Sequence, residues 1–122
     1  MEVGPIKVGK EYRLNDITFE SNSFALNENE RQIIDEFILF LSDNPSVKID
    51  IQGHTDDIGN DNDNLILSQN RARVVYEYIV ARGISASRMT NHGYGEQRPV
   101  LPNTNEANRA KNRRTIFVIT AQ

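Results

Sequence analysis

Two residues of this chain are of types that together could hold a doubly charged small group. Asp56 lies in the run Gly53-His54-Thr55-Asp56-Asp57-Ile58-Gly59, and Arg71 lies in the segment that follows. A carboxylate accepts hydrogen bonds from an ammonium, and a guanidinium grips a carboxylate through two parallel N–H groups. One acid and one guanidinium facing a cleft therefore suit a zwitterion. They suit an ordinary internal salt bridge as well, because structural ion pairs also form at strand and helix ends. Placed at about 100° per residue, Asn64, Leu67, Ser68, Arg71, Ala72, Val75 and Ile79 share one arc of a helix. Arg71 is thus on the core-facing side, where a guanidinium does not lose its water cheaply. It should sit at the end of the buried face and hold a carboxylate, from Asp56, from a ligand, or from both in turn.

Other chemistries fit less well. His54, Asp56, Asp57, Asp61 and Asp63 invite a metal, but they lack the glycine and the distal glutamate of a calcium loop. His54, Thr55 and Asp56 also alternate along a strand and cannot all face one ion, so a solvated Asp/Asn turn is the expectation, with His54 structural. Adjacent Asp56 and Asp57 point apart, which argues against a glycosidase pair. Ser68 and His92 lack any nucleophile-elbow signature. The expectation is a site with no metal, no cofactor and no catalysis.

The elements that must position Asp56 and Arg71 are legible from periodicity. Val47, Ile49, Ile51 and Gly53 alternate with Lys48, Asp50, Gln52 and His54, the period of a strand with one buried face. Thr55 and Asp56 sit at its carboxyl end, the edge of an open α/β arrangement where ligands settle beside helix N-termini. The helix over 64–82 follows, with Gly83 suited to its left-handed terminus. Upstream, Val8, Tyr12 and Leu14 form an edge strand, Ile17-Thr18-Phe19 a first core strand, and Asn27 with Glu30 a capping box. That cap opens a helix with Ile33, Ile34, Phe37, Ile38 and Leu41 inward, stopped at Asp43-Asn44-Pro45. Downstream, the pattern predicts a short strand over 89–92, a turn at Gly93-Tyr94-Gly95 with Tyr94 packed, and a short helix over 104–111 capped by Thr104. A central strand covers 115–120, apolar on both faces. The basic cluster Arg109 to Arg114 opens that strand, so one of its arginines should point toward the site. The order β-α-β-α-β-β predicts a two-layer α+β sandwich, two helices on one face of a mixed sheet, with right-handed crossovers.

The totals agree with a small binding domain. The chain has 122 residues, enough for one core without metals or disulfides, and it contains no cysteine. Lys and Arg number 14 against 17 Asp and Glu, and the net charge of −3 argues against a nucleic-acid partner. No apolar run approaches the roughly 18 residues that span a bilayer, and residues 1–7 lack a signal-peptide core. Met1 fits equally the first residue of a domain cut from a longer secreted or anchored protein.

The motif string resembles a known family. Gly53-His54-Thr55-Asp56, Gly59, Asn64-x-x-Leu67-Ser68-x-x-Arg71-Ala72-x-x-Val75, Gly83-Ile84, Arg88, Gly93-Tyr94-Gly95-Glu96, Pro99 and Asn112-Arg113-Arg114 resemble the OmpA-like peptidoglycan-binding domain. That family includes OmpA C-terminal domains, peptidoglycan-associated lipoproteins and flagellar stator proteins. The resemblance divides the chain into an N-terminal extension or edge strand, 1–11, and the domain proper, 12–122. It implies a periplasmic, non-catalytic module of a larger protein tethered to the outer membrane, holding the diaminopimelate of peptidoglycan stem peptides. Asp56 and Arg71 are implied to hold the ligand, whose side-chain end carries an ammonium and a carboxylate on one carbon. Thr55, Ile58, Gly59, Asn64 and Leu67 are implied to line the pocket, with Arg113 or Arg114 assisting at stem carboxylates. In the first loop the family commonly has an Asp, where this chain offers Glu20 and Asn22, and Asn108 stands where a Gly is usual. A dimerising, stator-type envelope domain, with wall binding secondary, is the competing expectation.

Overall fold

The computed structural model describes residues 8, 9, 11–13, 26 and 28–122. The expected strand over 17–19, the loop bearing Glu20 and Asn22, and the Asn27 half of the capping box lie outside these residues. The elements are β1 (Glu11–Arg13), α1 (Glu28–Asp43), β2 (Lys48–His54), α2 (Asp61–Ala81), a 3-10 turn (Ala86–Arg88), β3 (Met89–Gly93), α3 (Glu106–Asn112) and β4 (Arg114–Ala121). The sheet runs β1-β4-β2-β3 and is mixed: β2 and β3 are parallel, while β4 is antiparallel to both β1 and β2. The α+β architecture is as the periodicity predicts.

Apolar side chains from both long helices meet one face of this sheet. Ile34, Phe37, Ile38 and Leu41 of α1 and Ala72, Val75 and Ile79 of α2 pack in one cluster with Ile49 and Ile51 of β2 and Phe117 and Ile119 of β4. The rings of Phe37 and Phe117 lie 4.2 Å apart between centroids. Burying such side chains is worth roughly 1.5–3 kcal/mol each, which makes this cluster the main support of the fold. Ile33 of the expected stripe is only half-buried, and Phe40 joins the core instead.

The ends of the helices are built by specific hydrogen bonds. Asn60 opens α2, its side chain accepting from the Asp63 N–H at 2.7 Å. Gly83 closes it at φ 101°, a left-handed conformation that a Cβ would oppose. α1 ends without a basic residue of its own. Arg88 supplies the charge from across the sheet: its guanidinium donates to Leu41 O at 2.9 Å, Asn44 O at 2.8 Å and Val47 O at 3.0 Å.

Two expectations need correction. Strand β2 does not have one solvated face: Asp50 and His54 are also buried. The reason is that β2 is an interior strand. Thr90 and His92 of β3 and the neighbouring Gln52 all bond the Asp50 carboxylate, at 2.6, 2.7 and 2.9 Å. His54 stacks on Tyr94 at 5.5 Å. The expected short helix over 104–111 is α3, but it is capped by Asn105 and not Thr104, the Asn105 side chain accepting from the Asn108 N–H at 2.9 Å.

Candidate functional site

The amino end of α2 lies unusually close to the carboxyl ends of β2 and β3. A methyl group on Gly53 would collide with the Ser68 carbonyl oxygen, and one on Gly93 with the backbone of Gln69. These glycines are what let the helix rest on the strands. Ser68 fixes the contact, its hydroxyl accepting from the Gly95 N–H at 2.8 Å while donating to Leu65 O at 2.8 Å. Asn64, one turn earlier, donates from its amide to Ile58 O at 3.0 Å, Glu96 Oε1 at 3.2 Å and Asp56 O at 3.3 Å. It ties the helix start, the loop after β2 and the turn after β3 into one unit.

Asp56 sits inside that unit and is 7% exposed. Its Oδ1 accepts from the Ile58 N–H at 3.0 Å and its Oδ2 from Arg113 Nη1 at 2.7 Å. Thr55 is buried behind it, the hydroxyl donating to Asp56 O at 2.8 Å and the N–H to Gly95 O at 2.9 Å. Arg71 is 2% exposed, among the largest fully buried side chains of the described residues. Burial pushes its guanidinium pKa down to about 10, and the positive charge of Arg113 adds to that, while Asp56 and Glu30 oppose it. The group stays protonated at neutral pH, so a cation is held in a dry place with carboxylates as its counter-charges.

Arg113 reaches the site because of strand register. His54 of β2 stands opposite Arg114 of β4, and neighbouring side chains on a strand take opposite faces. Arg113 therefore turns to the helix side, toward Asp56. Arg114 goes elsewhere, donating to Arg98 O at 2.9 Å and Asn112 O at 3.4 Å. Arg113 also donates to Glu106 of α3, from Nη2 to Oε2 at 3.0 Å and from Nη1 to Oε1 at 3.3 Å. Glu106 holds the Arg113 pKa up, and in return Arg113 keeps the Glu106 carboxyl below its ordinary value. Beside this pair, Arg109 Nε approaches Asp57 Oδ1 at 3.4 Å. Asn112, fully buried, anchors the stretch before α3 by accepting from the Val100 and Leu101 N–H groups and donating to Leu101 O and Asn103 Oδ1.

The structure thus gathers Asp56, Arg71, Thr55, Asn64 and Arg113 at the sheet edge. Ile58 and Gly59 are exposed on the loop at its rim, and Leu67 is half-buried. Glu20 and Asn22 lie outside the described residues. Tyr94 packs between His54 and the Arg98 guanidinium, the latter 3.8 Å from its ring centre. Sequence reasoning missed Glu30 and Glu106 as members of the charge cluster. The sequence presents Glu30 as part of a cap; its place on the first turn of an inward-facing helix is the available signal. Glu106 carries none, because its link to Asp56 runs through Arg113, a contact set by the fold.

Fold and site together define a two-layer α+β domain with a buried arginine and a buried carboxylate at the carboxyl edge of its sheet. The family model described as "OmpA family" matches residues 18–113, and the chain belongs to that family. It is 38% identical over 107 residues to outer membrane porin F of Pseudomonas fluorescens, covering 88% of this chain and 33% of that protein. It is 32% identical over 105 residues to the peptidoglycan-associated lipoprotein of Pasteurella multocida, covering 86% of this chain and 70% of that protein. The chain thus spans about a third of the porin and most of the lipoprotein. Among solved structures, a MotB-like protein from Desulfovibrio vulgaris superposes with a TM-score of 0.83 at 30% identity, over 92% of this chain and 73% of that one.

Proposed function

We propose that this domain binds peptidoglycan non-covalently and without catalysis, through the zwitterionic end of diaminopimelate in the stem peptide. Asp56 accepts from the ligand ammonium and Arg71 grips its carboxylate, with Arg113 close enough to help with a second carboxylate. Thr55, Asn64 and Leu67 shape the pocket, and Ile58 and Gly59 form its rim. The observation that carries this reading is the burial of Arg71, 2% exposed, in the same charge cluster as Asp56. Holding a cation in a dry pocket costs stability, and a site that receives a carboxylate is a physical reason to keep one there. Membership of the OmpA family and likeness to a peptidoglycan-associated lipoprotein support the choice of ligand.

Magnitudes fit an anchor. Four or five charge-assisted hydrogen bonds at about 1.5–3 kcal/mol each are offset by an association cost of about 4–15 kcal/mol. Single-stem affinity is then micromolar in order, and a tethered domain facing a repeating polymer holds through effective concentration. We place the domain in the periplasm as part of a longer, outer-membrane-tethered protein. No helix among the described residues is long and apolar enough to cross a membrane.

The test is calorimetric titration with a diaminopimelate stem peptide and with a lysine stem peptide, which lacks the terminal carboxylate. Binding of the first and not the second is expected; equal behaviour would sink the zwitterion clamp. Incubation with purified sacculi should retain the domain in the pellet and release no soluble fragments, and released fragments would make it a hydrolase. The likeness to the MotB-like protein motivates a second reading, a dimerising envelope domain with wall binding secondary. A tight dimer in ultracentrifugation together with failure to pellet with sacculi would favour it.

A further inference from the structure

We propose that Glu106 is a positioning residue that keeps Asp56 receptive to an ammonium group by holding back Arg113, an inference that rests on the clamp reading above. Arg113 offers its two terminal nitrogens to Glu106, at 3.0 and 3.3 Å, and only one of them to Asp56, at 2.7 Å. The guanidinium fork is therefore spent on Glu106. Turned fully onto Asp56, the same fork would make the bidentate pair that arginine favours with carboxylates and would cover the edge on which a ligand ammonium must land. A carboxylate has about four acceptor positions; Ile58 N–H and Arg113 Nη1 use one on each Asp56 oxygen.

Charge works in the same direction. Arg71 and Arg113 both act on this cluster, and an arriving ammonium meets their repulsion. Glu106, with its side chain 70% exposed at the mouth, offsets the nearer cation without occupying the pocket. The groups that face it are Arg113, Arg109 and Asp56. Its own place is fixed: Asn105 caps α3, Asn112 anchors the far end, and Arg109 meets Asp57. The residue thereby tunes selection for ligands carrying an ammonium as well as a carboxylate, over those carrying the carboxylate alone.

The experiment uses the full chain as wild type, Glu106→Gln, Arg113→Met and the double variant. Each is titrated calorimetrically with a diaminopimelate stem peptide and with its pimelate analogue, which lacks the ammonium; thermal melts check folding. Glu106→Gln should weaken the diaminopimelate peptide about five-fold, the upper range for an exposed ion pair. It should leave the pimelate analogue within about two-fold, and the loss should vanish in the Arg113→Met background. Unchanged affinity in Glu106→Gln, equal weakening of both ligands, or a loss that persists without Arg113 would overturn the role. A wild type that binds neither ligand would overturn the clamp reading itself and this inference with it.

Discussion

Arg113 donates to the Asp56 carboxylate at 2.7 Å, although the two residues are 57 positions apart in the chain. Asp56 therefore faces two cations, Arg113 at hydrogen-bond distance and Arg71 buried in the same cluster. Asp56→Asn removes a negative charge that acts on both. Unfolding in urea should show a stability loss of about 1–3 kcal/mol, the cost of leaving buried charged donors unsatisfied, and stem-peptide binding should weaken by about 2–5 kcal/mol. Unchanged stability would mean that the carboxylate matters only to the ligand.

Arg71→Met removes the buried cation of the same cluster. Burial is the largest influence on this guanidinium, lowering its pKa to about 10, so its charged form is less favourable in the folded state than in the unfolded one. The folded group keeps its proton throughout the neutral range, and that penalty is constant there. Replacing it by an apolar side chain of similar length takes this counter-charge from the buried Asp56 and Glu30 carboxylates, so urea unfolding should show a stability loss of up to about 3–5 kcal/mol, and stem-peptide binding should be abolished. An unchanged or raised urea midpoint would mean that the cation is kept for the ligand alone.

The Glu106 carboxyl lies below its ordinary pKa of 4.5, chiefly through its hydrogen bond to Arg113. A depressed carboxylate contributes stability above its unfolded pKa and loses it as pH falls through the folded value. Wild type should melt higher than Glu106→Gln at neutral pH, with the gap closing below about pH 4. A gap that persists at acidic pH would show that the substitution acts through packing and not through charge.

Arg88 holds the end of α1 through three carbonyl oxygens. Arg88→Ala leaves them unpaired and should cost about 2–3 kcal/mol in urea unfolding. Arg88→Lys should restore little, because an ammonium does not reproduce the planar fork. Full rescue by lysine would reduce the role to one of charge.

Gly53→Ala places a methyl group against the Ser68 carbonyl oxygen. The helix must lift, so the variant should lose about 1–3 kcal/mol. Because Asn64, Ser68 and Arg71 ride on the same helix, stem-peptide affinity should fall with it. Wild-type affinity in a destabilised variant would separate the helix seat from the site.

The local periods of the sequence were enough to draw α1, β2, α2, β3 and β4 and to place Asp56 at a strand end with Arg71 on a buried helical face. Periodicity reports which side of an element is apolar, and a guanidinium in an apolar stripe is conspicuous for that reason. The Gly83 terminus was equally local, since it depends on one residue's backbone freedom. Only the tertiary structure decided which arginine meets Asp56. The antiparallel register of β4 with β2 sets His54 opposite Arg114 and so sends Arg113 to the site, and register depends on contacts between distant segments. The same holds for buried Asp50 and His54, whose partners come from β3 and the turn after it, and for Glu106, which joins the site through Arg113, the residue that also bonds Asp56. Charges find their partners in space, and a chain read in order lists only their neighbours.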